Sequence, residues 1–490
     1  MDKYSKNDIS KRKVFSSFIW RLCERSGAQI ISFAVSIVLA RILDPDTYGM
    51  LALVMAFISI LNVFVDGGLG SSLIQKENAG NDDFSTVFYA NLIFCIILYG
   101  GLFAAAPLLA RFYNQKSLTA VIRVIGIIIL ISGVKNIQQA YVSRNLLFKR
   151  FFFSSVAGTI ISAFVGILLA LTGAGIWALV VQSLVNNGID TLILWITVKW
   201  RPKKVFSLKK LKENFSYGWK ILAAGLVYTS YENLRQLLIG KFYTSSDLAY
   251  YNRGEHIPAV ITANINNALD SVLLPTMSKV QSDRVKVKGM TRRFIQITTF
   301  VIMPMMVGLA VVASQLIRIL LTDKWIECVP YMRVFCIACC YYPIQTANLS
   351  AIKAIGRSDI ILKLEIIKII TGVLILLVTI WYGPLAIALG YMISTVLAQL
   401  INSWPNKELL NYSCAEQIKD ILPNILVAFC MGIVVWFLPE IESHIIVDLV
   451  VKIIVGIIVY IALSFVTKNE SLYYLMNNVK MMVRKQKKNE

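Results

Sequence analysis

Charged, amide and phenol side chains recur at helical spacing inside segments that are otherwise apolar. Arg21, Arg25 and Gln29 follow one another at steps of four and continue to Ser32 and Ser36. At 3.6 residues per turn these share one face of a helix, with Glu24 beside Arg25. A second group, Tyr228, Tyr231, Glu232, Arg235 and Gln236, falls within about two turns. Smaller sets are Lys135, Gln138 and Gln139, then Asn187 and Asp190, then Asn264, Asn267 and Asp270. Cations of this kind complement phosphates, and amides and aromatic rings complement sugars. Charge inside a bilayer costs about 2.5–3.5 kcal/mol per residue on insertion scales, so each such residue is a functional candidate. A second reading stands beside this one. Glu24–Arg25 and Glu232–Arg235 can equally be internal ion pairs that fix helix packing, and residues near helix ends can snorkel to headgroups.

Other chemistries find little support. The only histidines are His256 and His444, which leaves no catalytic triad and argues against a His-based metal site. Cys336, Cys339 and Cys340 lie in an apolar run with no histidine nearby, as ordinary small buried residues do. Asp44-Pro45-Asp46 has the look of a sugar-nucleotide metal motif but is explained by a proline turn. Gly67, Gly68 and Gly70 are too few to cradle a phosphate, and no G-x-x-x-x-G-K-[ST] occurs. No metal, cofactor or nucleic acid is expected.

The elements that must position these residues are membrane spans. The chain has 490 residues, 57% hydrophobic and 16% charged, where soluble domains carry about 25% charged. Apolar runs of about 20 residues, long enough to cross a bilayer, recur from end to end. They are continuous rather than alternating, which predicts helices and excludes a β-barrel. Fourteen spans are expected, near 14–41, 48–74, 85–111, 118–143, 151–171, 176–199, 214–241, 248–279, 292–321, 329–353, 362–380, 385–404, 419–438 and 446–467. The first is read as a retained span, because no small-residue cleavage site follows it.

Charge gives the orientation. With a cytoplasmic N-terminus, the eight inside segments hold 26 Lys and Arg, and the seven opposite loops hold only Lys116 and Lys324. That asymmetry obeys the positive-inside rule and accounts for the net charge of +21 without nucleic acid. The basic tail 468–490 is expected against anionic headgroups.

An internal repeat is also legible. Phe15-Ser16 and Phe215-Ser216 stand 200 residues apart, as do Arg41 and Lys241. At the same offset Asp46-Thr47-Tyr48-Gly49 falls opposite Ser246-Asp247-Leu248-Ala249. At an offset of 210, Arg123-Val124 matches Arg333-Val334, Lys135 matches Gln345 and Gln138 matches Asn348. This predicts an N-terminal six-helix lobe (1–199), a basic cytoplasmic linker (200–213), a second six-helix lobe (214–404) and two added helices (405–467). Parallel repeats of this kind place a substrate path between the halves.

Leu39-Ala40-Arg41-Ile42-Leu43-Asp44-Pro45-Asp46-Thr47-Tyr48-Gly49 resembles the end of the first helix in the polysaccharide flippase family. Asp66-Gly67-Gly68-Leu69-Gly70-Ser71-Ser72-Leu73-Ile74-Gln75-Lys76, with Phe84-Ser85-Thr86 after it, does so too. Arg144-Asn145-Leu146-Leu147-Phe148-Lys149-Arg150 and Lys353-Ala354-Ile355-Gly356-Arg357-Ser358 look similar to that family's cytoplasmic linkers. The likeness covers about 1–404 and is nearest to the colanic-acid and teichuronic-acid exporter branch of the multidrug/oligosaccharidyl-lipid/polysaccharide exporter superfamily. It implies an all-α polytopic, MATE-like fold of two six-helix bundles related by a pseudo-two-fold axis, plus two C-terminal helices. It also implies an alternating-access flippase for polyprenyl-pyrophosphate-linked oligosaccharide, in the bacterial inner membrane with both termini cytoplasmic. Glycan polymerase and export machinery are the implied partners.

Two alternatives are weighed against that reading. A cation-coupled drug antiporter of the same superfamily would use a carboxylate such as Asp66, Asp190 or Asp270, and an acidic cavity; Arg21, Arg25, Lys135 and Arg235 suggest an anionic cargo instead. A glycan polymerase or ligase needs a sizeable outside loop, and every outside loop here is short. The topology is testable by cysteine labelling of intact cells. Membrane-impermeant reagent should reach positions in 112–117 and 242–247 but not in 200–213, and label at 200–213 would reverse the orientation.

Overall fold

The computed structural model describes residue 20 and residues 27–66, 68–76, 79–440 and 444–477, apart from the side chains of 217 and 267–272. Among the described residues the chain is helical, with no strand. This follows from the solvent: a bilayer offers no hydrogen-bond partner to the backbone, so a spanning segment must satisfy its own N–H and C=O groups. Nine helices or helix pairs among the described residues are long and apolar enough to cross a membrane, so this is a multi-pass membrane protein.

Two compact units are present, 1–249 and 250–490. The first contains α1 (Gly27–Ile42), α2 (Pro45–Asp66), α3 (Leu69–Gln75), α4 (Asn81–Phe112), α5 (Leu118–Ile125), α6 (Ile127–Arg144), α7 (Phe148–Leu171), α8 (Ile176–Thr197) and α9 (Leu208–Phe242). The start of α10 (Ser245–Ser278) also belongs to it. The second holds the rest of α10 and α11 (Arg284–Val311), α12 (Ala313–Leu321), α13 (Val329–Cys339), α14 (Tyr342–Ala354), α15 (Ser358–Thr379), α16 (Pro384–Leu410), α17 (Cys414–Trp436) and α18 (Ile445–Val466). Nine of the expected spans coincide with helices or helix pairs long and apolar enough to cross, and the first, 14–41, lies partly outside the described residues.

The first unit extends past the 200–213 linker because α9 packs along α2. Small residues allow the approach. A Cβ on Gly68, which has φ +69°, would stand 2.3 Å from the Gly218 carbonyl oxygen. Further along the seam Asn233 Nδ2 donates to Ser59 Oγ at 3.4 Å. At the far end the starts of α2 and α10, 200 residues apart, meet each other. Ser246 Oγ donates to Asp46 Oδ1 at 2.6 Å, and Gln115 Nε2 donates to Ser245 Oγ at 2.8 Å. The turns matched by the sequence repeat are thus in direct contact.

The linker is strapped to the first unit. Lys203 N–H donates to Ser85 Oγ at 2.9 Å and Ser207 N–H to Thr86 Oγ1 at 3.2 Å. Trp200 packs among Phe84, Phe88 and Tyr141, and its indole N–H donates to Asn81. Arginines on this side close helix ends: Arg144 donates to the Lys76 carbonyl at 2.6 Å, Arg150 to that of Thr197 and Arg201 to that of Val198 at 2.6 Å. Cations at C-termini satisfy orphan carbonyls and the helix dipole.

The second repeat offset has a structural counterpart as well. Arg123 Nε donates to the Phe103 carbonyl and its guanidinium lies 4.2 Å from the Phe103 ring centroid. Arg333 Nε donates to the Ala310 carbonyl, with Trp436 as its ring at 5.0 Å. In each unit the equivalent arginine ties the first segment of a broken span to the helix before it.

In the second unit α17 packs on α11. Asn424 Nδ2 donates to Thr299 Oγ1 at 3.0 Å and to the Gln296 carbonyl at 2.9 Å. Asn348 and Gln417 exchange amide hydrogen bonds of 2.9 and 3.0 Å, and Asn406 donates to Asn348 Oδ1 at 2.6 Å, all fully or almost fully buried. Asn348→Leu should therefore strand two buried amides and cost about 1–3 kcal/mol. Thermal unfolding in detergent checks this, and pairing it with Gln417→Leu in a double-mutant cycle should recover part of the loss.

Candidate functional site in the membrane helices

Polar residues of the first unit gather at the junction of α2, α6 and α8. Lys135 on α6 forms an ion pair with Asp190 on α8, Nζ to Oδ2 2.7 Å, with side chains only 16% and 13% exposed. Next to it Asn136 Nδ2 donates to Asp66 Oδ1 at 2.7 Å and to the Val65 carbonyl at 3.2 Å. The Lys135 ammonium lies within electrostatic reach of Asp66 as well. Local sequence makes the room. A Cβ on Gly70 would stand 2.7 Å from Asn136 Oδ1, and one on Gly158 3.0 Å from the Asn186 carbonyl oxygen, one turn before Asp190.

The other expected residues separate by role. Arg235 on α9 is buried, donates from Nη2 to Tyr231 Oη at 3.0 Å, and lies 5.0 Å from the centroid of the same ring. One phenol thus braces the guanidinium twice. Glu232 is exposed on the same helix. Gln138 is fully buried and donates to the Trp200 carbonyl at 3.1 Å, so it anchors the linker. Asn264 is exposed and donates to the Val260 carbonyl one turn back, at 2.9 Å. Gln29 is half-buried on α1. Asn267 and Asp270 lie on α10, their side chains outside the described residues, and Arg21, Glu24 and Arg25 lie outside them altogether.

Sequence reasoning passed over Asn136, although it stands between Lys135 and Gln138. Asp66 entered only as an antiporter carboxylate. The available signal was Gly70, whose missing side chain leaves room for Asn136 Oδ1.

An apolar, multi-pass helical bundle with buried charged side chains defines an all-α polytopic membrane protein. Comparisons then narrow the class. Residues 38–330 match the family described as polysaccharide biosynthesis protein. The chain belongs to that polysaccharide biosynthesis protein family. It is 24% identical to teichuronic acid biosynthesis protein TuaB of Bacillus subtilis (strain 168), covering 76% of this chain and 78% of that one. It is 23% identical to lipopolysaccharide biosynthesis protein WzxC of Escherichia coli (strain K12), covering 81% and 83%. To succinoglycan biosynthesis transport protein ExoT of Rhizobium meliloti (strain 1021) it is 21% identical, with 96% of both chains covered. The fold is similar to that of lipid II flippase MurJ in an inward closed conformation, with TM-score 0.75, 15% identity, and 92% of this chain and 98% of that chain covered. It is also similar to an inward-facing multidrug resistance MATE family transporter, with TM-score 0.63, 14% identity, and 80% and 98% covered.

The Lys135–Asp190 pair yields a stability prediction. Lys135→Ala leaves Asp190 without its cation among apolar helices and should cost about 3 kcal/mol, and Asp190→Ala should cost less because Asp66 stays within reach of the ammonium. The exchanged pair Lys135→Asp with Asp190→Lys should recover most of it. Melting temperatures in detergent measure both, and single variants that melt like the parent would show that the pair does not hold the packing.

Proposed function

We propose that this protein is a flippase that moves a polyprenyl-pyrophosphate-linked oligosaccharide, the repeat unit of an exopolysaccharide, O-antigen or capsule, across the bacterial cytoplasmic membrane. Family membership and the names of the relatives support this reading, and the similarity to MurJ supports the fold. The observation that carries it is Arg235, a guanidinium buried within the first helical unit and donating to the Tyr231 phenol. Burying an arginine there is costly, and a fixed fork with an aromatic neighbour suits a phosphate next to a sugar.

The proposed arrangement is fourteen crossings with both ends cytoplasmic, organised as six, six and two helices. The repeat offsets and the charge asymmetry support it. Neither the pyrophosphate nor the sugars can cross about 30 Å of hydrocarbon unaided. Arg25 and Arg235 are assigned as cations that attract the pyrophosphate, with Arg21, Glu24, Gln29, Tyr231, Glu232, Asn264, Asn267 and Asp270 offering polar partners. Lys135 and Asp190 join that set as a mutually neutralised pair. Binding must stay weak enough for release, and alternating access would expose the polar path first to one side and then to the other. A glycan polymerase and export machinery would receive the product.

Arg25→Ala and Arg235→Ala should each abolish glycan display in cells that depend on this chain, with protein level and membrane insertion unchanged. Lysine should rescue partly, because it keeps the charge and loses the bidentate fork. Normal export by both alanine variants would remove these arginines from the transport path.

A further inference from the structure

A cavity of about 600 Å³ opens in the first unit between α2, α4 and the start of α9. Phe64, Leu69, Phe94, Leu208 and Phe215 line it, and Lys212 is its one charged residue. Leu208 is 74% exposed and Phe215 53%, so the apolar wall is open to the surroundings rather than closed over. The segment leading into it reads Lys203-Lys204-Val205-Phe206-Ser207-Leu208-Lys209-Lys210-Leu211-Lys212, with Val205 and Phe206 also exposed.

The local acids are already committed. Lys76 holds Asp83 at 2.8 Å and Glu213 at 3.0 Å, and Lys210 lies 3.5 Å from Asp82 and 3.6 Å from Asp83. Lys209 and Lys212, three residues apart and hence on one face of α9, have no acidic partner among the described residues. The hydrogen bonds from Lys203 and Ser207 to Ser85 and Thr86 hold this segment in place before anything binds. An apolar groove of this volume with fixed ammonium groups at its mouth has the chemistry of an amphiphile site. We propose that it binds an anionic phospholipid of the bilayer, an acyl chain against Phe64, Phe94 and Phe215 and the phosphate at Lys212 and Lys209. The lipid would bridge α4 and α9, and so hold the basic end of α9 against α2.

This inference uses only membrane embedding and is independent of the cargo. Native mass spectrometry of the detergent-purified full chain, titrated with dioleoylphosphatidylglycerol or dioleoylphosphatidylcholine, tests it. Phosphatidylglycerol should bind more tightly, and Lys209→Gln and Lys212→Gln should each weaken it roughly fivefold while leaving phosphatidylcholine unchanged. Ala90→Phe, which places a ring in the groove, should weaken both lipids without lowering the melting temperature. Equal binding of the two lipids would overturn the proposal. So would a phosphatidylglycerol preference that survives both glutamine variants. Loss with the lysine variants but full binding in Ala90→Phe would assign the effect to diffuse surface charge and overturn the groove. If deleting residues 1–12 raises binding of both lipids alike, the groove seats the chain's own N-terminus instead.

Discussion

A bilayer gives backbone and side-chain polar groups nothing to bond to, and the rest of this structure depends on that constraint. It turns every apolar run into a helix, and it turns the usual inside-out rule around. Phe164 and Ile196 face outward at 73% and 70% exposure, while Asn91, Asn348, Asn406 and Gln417 are almost completely buried. Apolar surface drives no helix together when lipid is as apolar as leucine, so packing rests on small residues and internal amide bonds. Gly68 against Gly218 is an example of the first, and the reciprocal Asn348–Gln417 pair of the second.

The same constraint decides where charge can stand. Arg144, Arg150 and Arg201 serve as helix caps, so these basic residues complete hydrogen bonding at helix ends. Within the helices Lys135 pairs with Asp190, and Arg235 donates to the Tyr231 phenol one turn away.

Helix α9 connects these features. Its basic end is tied to the α3–α4 loop through Lys76–Glu213 and to α3 through Ser72 and Asn214, its middle lies on α2, and Arg235 sits toward its other end.

The sequence by itself determined the helices, their order and the polar faces at 3.6-residue spacing, because lipid admits no other secondary structure for runs of this length and composition. The contact of Asp46 with Ser246 was not legible there, because a repeat offset marks equivalent positions rather than touching ones. Only the tertiary structure decided which faces meet. Periodicity says that Lys135 and Asp190 share polar faces of two helices, yet 55 residues of chain separate them, and nothing local selects one partner among several carboxylates. Gln138 looked like a cavity residue and proves to anchor the linker, since a buried amide takes whichever carbonyl the packing brings within reach. The compact units part at 249/250 for a similar reason: small residues on α2 and α9 let the two helices approach more closely than the charge-marked linker between lobes would suggest.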